Sequence, residues 1–196
     1  MSDRYTRVAI LLHWIIGLSI IALLVLGLTM EDFPKSMMFT AYMIHKSLGL
    51  TVLMLTLVRI FWRLTHKVPA MPETMKSWEK FAAHAVHLGL YFLMLALPLS
   101  GWAMVSSSAR GYPTVFFGLF EWPHIPFLAN IADIESKKEI SHSIAEAHET
   151  LAWIAIVLIA LHIGAALKHH IIDRDTVLTR MLPFLKPPSA KETVAS

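Results

Sequence analysis

The sequence predicts an all-α integral membrane protein, folded as a four-transmembrane-helix bundle. Of its 196 residues, 56% are hydrophobic and 16% are charged, and the mean hydropathy of +0.57 is too high for an ordinary soluble domain. Four apolar stretches approach the roughly 20 residues that a helix needs to cross the hydrocarbon core of a bilayer. These stretches are residues 8–30, 43–62, 81–105 and 147–168.

Positively charged residues predict the orientation of the bundle, because short loops rich in Lys and Arg stay in the cytoplasm. They are concentrated before the first stretch, between the second and third, and after the fourth. The outer loops hold only Lys35, Lys46, Arg110, Lys137 and Lys138. We therefore expect both termini to be cytoplasmic. The net charge of +3 reflects this asymmetry and gives no indication of nucleic-acid binding. No small-residue cleavage pattern follows the first stretch, so we expect it to be a retained span.

The sequence predicts a single membrane domain, residues 1–185, followed by a polar tail, residues 186–196, that we expect to be disordered. The longest connection is an outer loop, residues 106–141, which is rich in aromatic side chains. Since such side chains favour the headgroup level, we expect a cap at the membrane interface, with room for a short helix. Ser143 and Glu146 form an S-x-x-E pattern that is typical of the start of a helix, here the fourth.

Cysteine is absent from the sequence. This excludes disulfides, thiolate metal sites, iron–sulfur clusters and covalent attachment of haem through a C-x-x-C-H motif. Any metal or haem centre must therefore rely on other side chains, and the sequence offers 11 histidines.

Two histidines of the fourth stretch, His148 and His162, predict the organisation of a site. Their spacing places them about 20 Å apart along a helix and within about 40° in azimuth, so they share one face at two depths. His13 and His162 each lie about 9 Å inside the cytoplasmic end of their helices. His45 and His148 both begin the outer ends of helices. Depth therefore predicts an inner pair, His13 with His162, and an outer pair, His45 with His148.

Two stacked imidazole pairs favour two non-covalent b-type haems, because each haem iron takes an axial nitrogen on either face. Zinc would need three or four ligands around one point. Iron with both axial positions filled exchanges single electrons through the porphyrin edge, which predicts an electron path across the membrane. A quinone is the natural lipid-soluble, two-electron end of such a path.

Histidines near the inner pair are candidates for contact with that quinone. They are His87, with His84 less favoured, and His169, with His170 less favoured. Imidazole can supply the proton that accompanies quinone reduction. Two alternatives stay open here: His169 and His170 simply lie at the membrane interface, or His87 is an axial ligand in place of His13 or His162.

Three basic residues near these histidines also have alternative interpretations. Lys46, beside His45, is either an interfacial cation or a partner for an anion, such as a haem propionate or an approaching substrate. Arg59 and Arg63 lie at i and i+4 on one helix face, and we interpret them as interfacial residues that orient the second helix.

Short motifs spread over nearly the whole chain up to Leu185 resemble the prokaryotic cytochrome b561 family. They are LHW at 12–14, MIH at 43–45, AHxxHL at 83–88, HETLA at 148–152, LH at 161–162, AALxHH at 165–170 and TRMLP at 179–183. The fourteen-residue histidine spacing also occurs in the cytochrome b subunits of formate dehydrogenases and nickel–iron hydrogenases. The chain's size and the joint occurrence of AHxxHL and AALxHH resemble most the superoxide oxidases of the b561 family.

The resemblance implies a multi-pass protein of the bacterial inner membrane that takes electrons from superoxide outside and passes them to ubiquinone. It also implies roles for individual residues. His13 and His162 would bind the inner haem, His45 and His148 the outer haem, and His87 and His169 would line the quinone site. The outer loop departs most from the family pattern, being longer and richer in proline and aromatic residues.

The sequence leaves two other classes of function open. One is an electron-relay subunit between a quinone pool and a partner redox protein, for which the aromatic outer loop is the candidate docking surface. The other is a four-helix metal transporter that uses its histidines. For the preferred enzyme, basic residues of the outer side would steer the superoxide anion, against the opposing charges of Asp133, Glu135 and Glu139.

Overall fold

The computed structural model describes residues 4–186, and over this range it confirms the predicted all-α membrane bundle. Within the described residues, four helices are long and apolar enough to cross a membrane. They are α1 (Arg7–Thr29), α2 (Lys35–Thr65), α3 (Ser77–Ser106) and α5 (Ile134–Lys168). Helices α2, α3 and α5 are longer than their apolar stretches, since the helical hydrogen bonding continues beyond the hydrocarbon layer.

Local signals explain where the first three helices begin. The Thr6 hydroxyl caps α1 by accepting from the backbone N–H of Ala9 at 3.2 Å. Pro34 immediately precedes α2, and Glu79 accepts from the backbone N–H of Lys76 at the start of α3 at 2.9 Å. Pro98 lies inside α3, which continues through it.

The interior of the bundle is small and its exterior is apolar. Leu12, Ile16 and Val52 form a buried cluster between α1 and α2. In contrast, Leu18 and Val25 on α1 are 60% and 58% exposed. Apolar side chains that point away from the bundle are expected where lipid, not water, is the surrounding medium. The close helix contacts are α1 with α2, α2 with α3, and α3 with α5.

The outer cap contains a two-stranded hairpin and a short helix. Strand β1 (Thr114–Phe116) pairs antiparallel with β2 (Phe120–Trp122), and α4 spans Pro126–Ala129. The buried Ser47 hydroxyl fastens the hairpin to α2, since it accepts from the Phe117 N–H at 2.8 Å and lies 3.3 Å from the Val115 carbonyl oxygen.

Helix α5 begins earlier than the sequence indicated, so the predicted outer loop 106–141 is too long. Residues 134–141 are helical, and the cap is Asp133, whose carboxylate accepts from the Ser136 N–H at 2.8 Å. The predicted cap at Ser143 is therefore wrong: its hydroxyl donates to the Glu139 carbonyl from inside the helix. The hydropathy pattern missed these turns because they are polar and project beyond the membrane core.

The segment after α5 returns to the bundle on the inner side. A five-residue π-helix, His169–Asp173, follows α5, and Arg174 then adopts a left-handed conformation with φ 55°. Further on, the Trp14 indole N–H donates to the Met181 carbonyl at 2.8 Å, which attaches this segment to α1. Of the tail predicted to be disordered, residues 187–196 lie outside the described residues.

Candidate functional site

The inner pair of histidines forms between α1 and α5. The ring centroids of His13 and His162 are 6.0 Å apart with an interplanar angle of 63°. His87, on α3, lies 5.3 Å from His162, edge-on to its ring. Three helices therefore bring three imidazoles to one level of the bundle, as their depths predicted.

The outer pair forms between α2 and α5, with ring centroids of His45 and His148 separated by 6.4 Å. Each ring lies over a glycine of another helix. A Cβ on Gly27 would lie 3.3 Å from His45 Cε1, and one on Gly101 would lie 3.3 Å from His148 Cε1. The two imidazoles are thus seated where helices α1 and α3 carry no side chain.

The ring nitrogens of the outer pair are in different surroundings. Nδ1 of His148 lies 2.9 Å from the Ser100 hydroxyl. Nδ1 of His45 is buried and has no hydrogen-bond partner among residues 4–186. Leaving a buried polar atom without a partner costs free energy, so this site favours a further group close to His45.

Arg59 is a member of the inner site that sequence reasoning did not identify. Its guanidinium donates to the Tyr91 hydroxyl and the Ala9 carbonyl, both at 3.2 Å, and lies 3.4 Å from His13 Nδ1. No carboxylate pairs with it in the described part of the chain. The assignment of Arg59 to the interface was therefore wrong, since this cation faces into the bundle. Arg63, one turn further along α2, lies over the Tyr91 ring at 5.7 Å.

His169 occupies a charged cluster below the inner pair. The residue is only 8% exposed, and its Nδ1 lies 2.7 Å from Asp175 Oδ2 and 3.1 Å from Asp173 Oδ2. Lys168 pairs with Asp173 at 2.8 Å and with Glu79 at the start of α3. These carboxylates were not predicted, because nothing in their spacing indicates that the chain turns back beneath His169.

The cluster lines one wall of a cleft of about 510 Å³ on the inner side. Lys76 and Arg174 also line it. A cleft of this size can admit the head of a small organic molecule. His169 therefore combines burial, a fixed ring and access to a cavity, which excludes the interpretation as a freely solvated interfacial histidine.

The remaining histidines lie elsewhere or have other contacts. His84 is exposed, and its Nδ1 lies 2.7 Å from the Lys80 carbonyl oxygen. His66 stacks on Trp62 at 3.8 Å. His170 has a buried Nδ1 without a partner among residues 4–186. Of these candidates, His87 therefore contacts the inner pair and His169 contacts the carboxylates, whereas His84 bonds a carbonyl of its own helix.

Comparison with known proteins gives a match over nearly the whole described chain. The family model for prokaryotic cytochrome b561 matches residues 4–184. Cytochrome b561 homolog 2 of Escherichia coli K12 is 32% identical over 182 residues, which is 92% of each chain. Cytochrome b561 homolog 1 of the same organism is 32% identical over 189 residues, or 94% of this chain and 99% of the relative. A probable superoxide oxidase of Yersinia pestis is 29% identical over 184 residues, or 93% and 98% of the two chains.

Proposed function

The chain belongs to the prokaryotic cytochrome b561 family of membrane electron-transfer proteins, and we propose that it oxidises superoxide outside and reduces ubiquinone near the cytoplasmic side. The observation that carries the proposal is the stacking of two imidazole pairs at two depths of one bundle. The name of the similar Yersinia pestis protein supports superoxide as the donor. The family itself implies b-type haem.

The ring geometry fits haem at both pairs. An axial imidazole nitrogen bonds a metal at about 2 Å, so two axial rings have centroids about 6 Å apart. The observed separations are 6.0 Å for His13 with His162 and 6.4 Å for His45 with His148. The 5.3 Å between His87 and His162 fits less well, which favours His13 as the second inner ligand.

Helix packing supports the same assignment. Both pairs join α5 to a helix, α1 or α2, against which α5 does not pack closely in the described chain. A flat macrocycle needs such a slot between two helices. The partnerless Nδ1 of His45 and the missing side chains at Gly27 and Gly101 also suit a site that receives a further group.

When bound, two haems b supply one-electron transfer through their edges. The four histidines would hold them, two to each haem, so superoxide and quinone would exchange electrons with the haems without binding the iron. Two superoxide ions would each give one electron and leave as oxygen. Ubiquinone would take both electrons and two protons from the cytoplasmic side to become quinol.

Cations on the outer side would guide the anionic donor. Lys46 lies next to His45, and its ammonium group donates to the Pro113 carbonyl at 3.4 Å. Lys137 similarly donates to the Ala129 carbonyl, whereas Lys138 is paired with Glu135 at 2.8 Å. Within residues 4–186, neither Lys46 nor Lys137 has a carboxylate partner. Uncompensated cations of this kind raise the local concentration of an anion.

His87 and His169 are the proposed quinone contacts. His87 is exposed on α3 beside the inner pair, where a molecule dissolved in lipid can reach it. His169 faces the cleft on the inner side. A quinone has a carbonyl at each end of its ring, so two imidazoles suit it as hydrogen-bond donors.

We place the protein in the bacterial inner membrane, and the loop charges support an orientation with His169 on the cytoplasmic side. The chain has no cysteine, so single cysteines can report it. In intact cells, a membrane-impermeant thiol reagent should label Lys138→Cys and leave Lys67→Cys unlabelled. The reverse pattern would contradict the orientation.

The proposed activity is tested by rapid mixing. Superoxide should reduce the haem bands of purified oxidised protein within milliseconds, and ubiquinone should then reoxidise them. Absence of reduction by superoxide would contradict the enzyme.

One observation favours a second candidate, an electron-relay subunit for a partner redox protein. The outer cap exposes large apolar side chains, among them Leu119 at 77% and Phe127 at 75%. Such a patch suits a docked protein as well as a lipid surface. A partner that copurifies in proportion to haem, together with no reaction with superoxide, would establish this alternative.

A further inference from the structure

Below the inner histidine pair, His169 and Asp175 form a buried dyad. Nδ1 of His169 lies 2.7 Å from Asp175 Oδ2, and the two side chains are 10% and 12% exposed. With Nδ1 engaged by the carboxylate, Nε2 is the ring nitrogen left for a ligand in the cleft. We propose that Asp175 is a positioning residue that orients His169 as the proton donor to the quinone. This inference rests on the proposed reduction of quinone at His169.

The backbone holds the Asp175 carboxylate in place. Its Oδ1 accepts from the Val177 N–H at 2.9 Å. The backbone N–H of Asp175 donates to the His169 carbonyl at 3.1 Å. The left-handed residue Arg174 makes the turn that brings Asp175 back beneath His169. A left-handed conformation is uncommon for a residue with a side chain and persists where surrounding contacts hold it. These backbone hydrogen bonds therefore hold the Asp175 carboxylate in position beside His169.

Further carboxylates lie around the dyad. Asp173 also lies within 3.1 Å of Nδ1, and Glu79 belongs to the same network through Lys168. Three carboxylates thus face a single ammonium group in the cluster. Lys76 and Arg174 line the cleft but form no ion pair with the dyad in the described chain. A carboxylate in contact with imidazole stabilises its charged form.

A quinone that has received electrons from the inner site needs a proton on each oxygen. The Nε2–H bond of His169 breaks as an O–H bond forms on the nearer quinone oxygen. His169 then regains a proton from water in the cleft, while Asp175 keeps its contact with Nδ1. The second oxygen takes its proton independently.

The test measures reoxidation of the haem absorption bands after reduced, haem-loaded protein is mixed with a short-chain ubiquinone at several pH values. We expect Asp175→Asn to slow reoxidation about 100-fold at neutral pH, within the range of a lost general acid. The defect should shrink at acid pH, where imidazole is protonated without help. Asp175→Glu keeps the carboxylate and should restore most of the rate.

Glu135→Gln is the control, since it also neutralises one carboxylate, but one that pairs with Lys138 on the outer side, away from His169. It should retain the wild-type pH profile. Equal pH profiles for wild type, Asp175→Asn and Glu135→Gln, at equal haem content, would overturn the proposal. If Asp175→Asn does not fold, Asp175→Ser gives a second neutral variant that keeps an acceptor for the Val177 N–H.

The same measurement separates this inference from the proposed function. A wild-type protein that ubiquinone does not reoxidise at any pH would contradict quinone reduction itself, and the role of Asp175 with it. A wild-type protein that is reoxidised at the same pH-dependent rate as the neutral variants would contradict only the role of Asp175.

Discussion

The Arg59 guanidinium lies 3.4 Å from Nδ1 of His13, inside the bundle and at the depth of the inner histidine pair. Its other partners, the Tyr91 hydroxyl and the Ala9 carbonyl, are neutral. A cation inside a membrane span without a counter-ion is costly, and such residues usually serve a function. A haem with ionised propionates would supply the missing negative charge.

Replacement of Arg59 should lower the midpoint potential of the inner haem. The cation favours the reduced iron, which carries one positive charge fewer, so Arg59→Gln should shift the oxidised-to-reduced ratio at least about tenfold, or about 59 mV for one electron. Spectroelectrochemical titration measures both haems in one experiment. Arg63→Gln is the control, because Arg63 contacts Tyr91 and not His13. Equal potentials for the two variants would refute the electrostatic role of Arg59.

Single replacements of the paired histidines should remove one haem each. His13→Ala should lose the inner haem and His45→Ala the outer one, so that bound haem falls by about half in both. The haem extracted per mole of protein gives the haem content of each variant. The midpoint potential of the remaining haem shows which site still binds haem. His66→Ala should keep full haem content, since His66 stacks on Trp62 outside both pairs. Loss of both haems from either variant alone, in folded protein, would contradict independent sites.

Gly27 offers a test of how the outer pair is seated. An alanine Cβ there would lie 3.3 Å from His45 Cε1, so the ring must move by a few tenths of an ångström. Disturbing the groups that orient a metal-binding side chain typically weakens metal binding about tenfold or more. We therefore expect Gly27→Ala to bind the outer haem about tenfold or more weakly than the wild type. Gly17→Ala lies on the same helix with nothing within 4 Å of its Cβ. It should behave as wild type in a haem-transfer assay.

The start of α5 should be sensitive to acid. Ser136 holds the pKa of the Asp133 carboxyl below its ordinary value through hydrogen bonding from its side chain and from its backbone N–H. A carboxyl with a lowered pKa in the folded state stabilises that state above its ordinary pKa and ceases to do so as pH falls through the lowered value. Amide exchange in the first turn of α5, corrected for intrinsic rates, should therefore accelerate in this acidic range. Asp133→Asn also caps helices but does not titrate there, so its exchange should lack this pH dependence.

Much of the fold was predictable because hydropathy and helix rise are properties of the chain alone. Four apolar stretches became four long helices, and the heights of His13, His45, His148 and His162 paired them correctly. The family resemblance drawn from short motifs is confirmed by the match over residues 4–184. Binding of haem and quinone by individual residues stays a prediction.

Features that depend on irregular backbone were not predictable. The carboxylates beside His169 come from a π-helix and a left-handed Arg174, neither of which has a sequence signature. Arg59 was interpreted as interfacial because the sequence does not show which face of α2 packs against α1, and that packing decides whether its side chain faces the bundle or the lipid. The polar first turns of α5 escaped a search for apolar stretches.

The bond from the Trp14 indole to the Met181 carbonyl has a consequence for biosynthesis. It joins residues 167 positions apart, next to a histidine pair that likewise needs the first and last long helices. At about 5–20 residues per second, a ribosome makes Trp14 roughly 8–30 s before Met181. The first helix must therefore wait in the bilayer with His13 unpaired, and the haem proposed for the inner site could bind there only after the last helix has been inserted.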